Sequence, residues 1–143
     1  MNEPQNLYRN ADEVESVVRN FEACTTLPAE FTHEAHLTFA LLYLSRLSLT
    51  DATERMRDGL FRFLNHYNER GYNETITVFW LRLVQSFLAG TNNASRPMTE
   101  LANELAANYN NSRLVFDYYS KELLASEEAK DSWVEPDLRP LDF

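Results

Sequence analysis

Two of the chain's three histidines, His33 and His36, stand in the run Phe31-Thr-His-Glu-Ala-His-Leu37. An imidazole can ligate a metal, exchange hydrogen bonds or move a proton near neutral pH. At about 100° per residue on a helix, both rings fall on the side of Leu37, Ala40, Leu44 and Leu47, the side that should face the core. Buried imidazoles need partners, so the pair marks a candidate ligand or proton-transfer site. It does not specify a reaction. A catalytic zinc takes more protein ligands than this pair supplies, and neither the Glu-x-x-His spacing of helical di-iron sites nor the histidine spacing of the zinc-protease helix is present. In the competing account, both rings bond to Tyr, Asp or backbone carbonyls and serve packing alone.

Glu74 is the second polar residue on an apolar stripe, sharing it with Thr77, Val78, Leu81 and Leu88. A carboxylate there lies at the rim, where it suits a helix N-terminus, or is buried with a partner. If the second and fourth helices run parallel, as two successive antiparallel turns require, their N-termini share one end of the bundle. His33, His36 and Glu74 would then form a cluster able to hold a divalent metal or act as bases. Asn73, Tyr43 and Tyr118 are further candidates for contact with a ligand. His66, expected near the end of the third helix, could add an imidazole but suits a solvated helix C-terminus better. Cys24 has no partner cysteine and no basic neighbour in sequence and reads as inert.

The elements that must position these residues are helical. Asn10-Ala-Asp-Glu13 resembles a capping box ahead of Val14, Val17, Val18 and Phe21, so the first helix is expected over about 11–23. Thr32 caps the second, about 32–47. Thr50 caps the third, which reaches about Asn68 with Ala52, Met56, Leu60, Phe63 and Tyr67 facing inward. Asn73 caps the fourth, about 74–89, whose apolar residues leave only a narrow polar strip at Thr75, Arg82 and Ser86; it reads as the central helix. A fifth follows Pro97 to about Asn108 and a sixth covers about 112–125, with Ser126 capping one more short turn. The segment from Trp133 to Phe143 contains Pro136 and Pro140 and reads as an extended tail. The reading is a single all-α domain, 1–143, a bundle of five or six helices.

Composition narrows the function classes. The 143 residues are 44 % apolar and 13 % aromatic, enough for a packed core, and only three glycines and five prolines interrupt the chain. Formal net charge is −9, which disfavours nucleic acid and anionic membrane surfaces as partners. No apolar run approaches a membrane span, and Met1-Asn2-Glu3-Pro4 lacks the features of a signal peptide. With one cysteine, a cytoplasmic location is expected.

The combination Phe31-Thr-His33-Glu-Ala-His36-Leu37, Tyr43-Leu44, Gly71-Tyr-Asn-Glu74-Thr75-Ile-Thr77 with Trp80, Tyr118-Tyr119-Ser120 and Trp133-Val-Glu135-Pro136-Asp137-Leu138-Arg-Pro140-Leu141 resembles a small family of uncharacterised bacterial helical proteins. The resemblance covers about 31–141, and its C-terminal motif is the most specific part. It implies a pattern without a reaction. It also implies that His often stands at the position of Asn73, and that the tail docks near the same site with Glu135 or Asp137 as extra polar groups. The expected function is a small-molecule or metal-ion binding protein, or an enzyme, with a buried His/Glu pocket. The alternative is an interaction or structural module whose polar cluster only fixes core geometry, and a homodimer formed through an exposed aromatic patch is a further expectation.

Overall fold

The computed structural model describes residues 7–143. The N-terminal tetrapeptide on which the absence of a signal peptide was read lies outside them. Seven α-helices and no strand occur among the described residues: α1 (Ala11–Glu22), α2 (His33–Arg46), α3 (Leu49–His66), α4 (Glu74–Leu88), α5 (Met98–Asn108), and the short α6 (Lys121–Leu124) and α7 (Glu127–Asp131). None of the helices is long and apolar enough to cross a membrane. The fold is a single-domain all-α bundle.

Local chemistry explains most helix starts. Asn10 accepts from the Glu13 N–H at 3.0 Å while the Glu13 carboxylate accepts from the Arg9 N–H at 2.6 Å, a near-reciprocal pair that satisfies donors at the α1 N-terminus. Thr32 accepts from Ala35 N–H at 3.1 Å, Asn73 from Ile76 N–H at 3.0 Å, and Ser126 from Ala129 N–H at 3.2 Å. The third helix departs from the expectation, because Ser48 rather than Thr50 is its cap, accepting from Asp51 N–H at 3.1 Å. Either hydroxyl is chemically competent. Capping by the earlier one starts the helix two residues sooner, at Leu49.

Burial is distributed between two centres. In α1 only the stripe Val14, Val18 and Phe21 is buried, whereas α2 is buried continuously from Leu37 to Tyr43. It packs against α1, α3, α4 and α5, so α2 shares the central position expected of α4 alone. The role of α4 is to join this core to a second one, built from Phe79, Val115, Tyr118, Tyr119, Leu124, Ala129 and Val134.

The expected sixth helix over 112–125 is instead broken. A short 3-10 turn covers Leu114–Asp117 and α6 begins only at Lys121. The interruption has a tertiary cause: the Tyr118 carbonyl accepts from Leu138 N–H of the tail at 2.9 Å, and the Ser120 N–H is donated to Asp137 at 2.8 Å. Those backbone groups are engaged by the tail and do not continue a helical ladder. The tail itself, 133–143, contains no helix.

The polar strip of α4 also has a different use from that of a solvated face. Thr75 is fully buried; its hydroxyl lies 2.8 Å and 2.9 Å from the accepting carbonyls of Ala129 and Ser132, and it accepts from Val134 N–H at 3.3 Å. Arg82 lies over the Trp133 ring at 4.2 Å. Only Ser86 of the three is exposed. The strip is where α7 and the start of the tail dock.

Candidate functional site

A cavity of about 470 Å³ opens where α2 and α4 begin. His33, His36 and Ala40 come to it from α2, Met56, Leu60 and Leu64 from α3, and Ile76, Thr77, Trp80 and Leu81 from α4. Phe31, the segment Gly71-Tyr72-Asn73 and Ser112 complete the wall. Gly71 and Ser112 are exposed, so the mouth lies between the α3–α4 connection and the segment that follows α5. Gly71 has φ +116°, a backbone conformation open to glycine and strained for other residues.

The two imidazoles are held by backbone carbonyls. Nε2 of His33 lies 2.8 Å from the carbonyl of Tyr109, the residue ending α5, and Nδ1 of His36 lies 3.0 Å from the Thr32 carbonyl. A carbonyl only accepts, so each of these nitrogens carries the proton. For His36 this leaves the Nε2 lone pair with no hydrogen-bonding partner among the described residues. Burial pushes the His36 pKa down to about 4, with the Thr32 bond opposing it and the neighbouring His33 imidazole adding to it. His36 is therefore a neutral acceptor at physiological pH. Aromatic edges fix both rings: His36 meets Phe31 at 4.1 Å between centroids, and His33 meets Trp80 at 4.5 Å. Phe31 is in turn stacked on Phe63 at 4.0 Å.

Asn73 lines the cavity beside the histidines, but its amide is already engaged. Besides capping α4, it donates from Nδ2 to the Leu124 carbonyl at 2.8 Å. This bond links the cavity rim to the C-terminal segment.

Glu74 is not part of the cavity wall. Its carboxylate is gripped by Arg57, with Nε at 2.9 Å from Oε1 and Nη2 at 2.6 Å from Oε2, and the Tyr72 hydroxyl donates to Oε1. Burial would raise the carboxyl pKa, but these bonds outweigh it and hold it below the ordinary value. The expected trio of His33, His36 and Glu74 is thus corrected. A buried carboxylate requires a compensating charge, and Arg57 supplies it. Among the described residues no group of three or more His, Cys, Asp or Glu side chains is placed to hold a metal ion.

The remaining candidates lie elsewhere. Tyr43 donates to Glu22 of α1 at 3.0 Å, next to Arg55. It shares an angular face with His36 but sits two turns along α2, roughly 10 Å away by helical rise. Tyr118 donates to Asp142 and accepts from Arg139 at 3.0 Å, packed on Phe79 in the second core. His66 is exposed against its neighbour Tyr67. Glu135 accepts from the Trp133 indole at 3.1 Å, and Asp137 from the Ser120 hydroxyl at 2.6 Å. The tail docks on Thr75 and Phe79, nearly opposite on α4 to the cavity-lining Thr77 at about 100° per residue, while Ile76 and Trp80 line the cavity and also pack against the second core.

Sequence reasoning alone did not single out Arg57 as the partner of Glu74, or Met56, Thr77 and Ser112 as parts of one wall. The signal for Arg57 was available in principle, since a carboxylate on an apolar stripe calls for a cation on the helix packed against it. Comparison of the chain with protein-family models, curated proteins and solved structures finds no match.

Proposed function

We propose that this protein binds a small organic molecule in the cavity at the beginnings of α2 and α4. The observation that carries the reading is His36 on the wall of a largely apolar cavity, its Nε2 without a hydrogen-bonding partner among the described residues. A volume of about 470 Å³ falls within the range of small-molecule sites, roughly 300–1,000 Å³, and apolar walls with a few fixed polar groups are their usual composition. The chemistry favours holding over proton abstraction. A base with a pKa of about 4 captures protons weakly at neutral pH, whereas general-base catalysis works best with a pKa near the operating pH. The metal reading has less support, because Glu74 is committed to Arg57 and two imidazoles alone make a thin coordination sphere. The single cysteine supports a cytoplasmic setting.

Thermal-shift screening of untagged protein against metabolites and divalent cations, in parallel with His36→Phe, tests this function. An organic ligand should raise the melting temperature, with stabilisation approaching about 2.7 kcal/mol at a hundred times its Kd, and the variant should respond less. Stabilisation by metals alone, or none that depends on His36, would overturn the reading.

A further inference from the structure

The polar groups of the cavity select among small molecules. No Lys, Arg, Asp or Glu lines it among the described residues. Arg57 and Glu74 follow the lining residues Met56 and Asn73 in sequence, but each neutralises the other through two hydrogen bonds. An anionic ligand would lose its hydration without meeting a cation, and a cationic one without meeting a carboxylate, each at substantial cost. The His36 Nε2 has the opposite need. It is an acceptor in a mostly apolar enclosure with no donor among the described residues, and filling the cavity with an apolar group alone would strip its water and leave it unsatisfied. Phe31 and Trp80 line the same space with aromatic surface, which suits a ring.

Resting on the small-molecule reading above, we infer that the ligand is a neutral, predominantly apolar, ring-containing molecule carrying a hydroxyl or N–H donor, and that His36 Nε2 accepts that donor. The second imidazole has a positioning role. By donating Nε2–H to the Tyr109 carbonyl, His33 ties the start of α2 to the end of α5 and packs its ring edge-to-face with Trp80. The volume sets the ligand's size. An apolar cavity of about 150 Å³ admits benzene, so one of about 470 Å³ has room for a fused bicyclic ring with substituents.

Three naphthalenes separate the requirements: 2-naphthol has the donor, 2-methoxynaphthalene lacks it, and 2-naphthoate carries a negative charge. Binding is followed at millimolar concentration by the methyl resonances of Met56 and Leu81, and the hydrogen bond by the imidazole ¹⁵N resonances of the unmodified protein. We expect 2-naphthol to bind roughly three- to tenfold more tightly than the methyl ether, 2-naphthoate to bind most weakly, and the His36 Nε2 resonance to move with 2-naphthol alone. In His36→Phe, 2-naphthol should lose its advantage. Equal affinity for the first two with an unmoved Nε2 resonance would overturn the donor requirement, and tightest binding of the naphthoate would overturn the neutrality; either leaves small-molecule binding standing. If no probe moves the methyl resonances, both readings fall.

Discussion

At the scale of single residues, the histidine pair divides into two roles that sequence spacing could not separate. His33 donates to the carbonyl that ends α5 and so ties two helices together, while His36 donates to the carbonyl of its own helix cap, a bond that holds only its own ring. The competing packing account anticipated backbone carbonyl partners, and these are present; the cavity beside them is what it omits. Burial of neutral His36 has a consequence for stability. Its pKa is lowered from 6.5 to about 4 on folding, so between these values the unfolded chain binds the extra proton. Stability associated with His36 is fully present above about pH 6.5 and falls as the pH drops toward 4, by on the order of 3 kcal/mol in total. In urea unfolding across that window, His36→Phe should show a shallower loss than the parent. Parallel pH profiles would contradict the assignment.

Helices bring these residues together through close approaches that periodicity alone does not report. Gly59 of α3 illustrates one: a Cβ placed there would lie 2.6 Å from Cε2 and Cζ of Phe21 on α1. Phe21 cannot easily yield, since it is fully buried and stacked on Phe39 at 4.2 Å. Gly59→Ala gains about 1 kcal/mol of helix propensity but forces overpacking that typically costs about 1–3 kcal/mol. A net loss of stability is expected in urea unfolding at pH 7, together with a displaced Phe39 ring resonance. A variant at least as stable as the parent would mean that α1 and α3 can separate at no cost. Helix α4 uses its circumference in two directions, with Trp80 toward the cavity and Thr75 toward the tail. Thr75 and Arg82 of its polar strip thereby become structural, and its first residue, Glu74, does so through Arg57.

For the molecule as a whole, the tail is an integral part of the second core. Val134 is buried, Trp133 and Leu141 pack against that cluster, and Phe143 meets Phe79 and Tyr118 edge-on at 5.4 Å and 5.7 Å. The Tyr119 hydroxyl donates to the Val134 carbonyl at 2.6 Å, and burial pushes its pKa up to about 12. Ending the chain after Ser132 removes these contacts and should cost on the order of 3–5 kcal/mol, taking about 1.5–3 kcal/mol for each well-buried apolar side chain. The shortened protein is expected to melt lower and to bind a hydrophobic dye at the uncovered Phe79 surface. An unchanged melting temperature would show that the tail only lies on a core that is complete without it.

The sequence by itself determined the helical class, five long helices to within a residue or two, most of their caps and the placement of His33, His36 and Asn73 at one end. These follow from apolar spacing and from side chains bonding backbone groups a few residues away, information held within short stretches of chain. Tertiary structure alone decided that Arg57 takes Glu74, that Tyr43 turns its hydroxyl to Glu22 of α1, and that Leu138 and Asp137 interrupt the expected sixth helix. Each of these depends on offset along a helix axis, the reach of a long side chain, or backbone bonds to a distant segment. None of those quantities is carried by the period of a pattern.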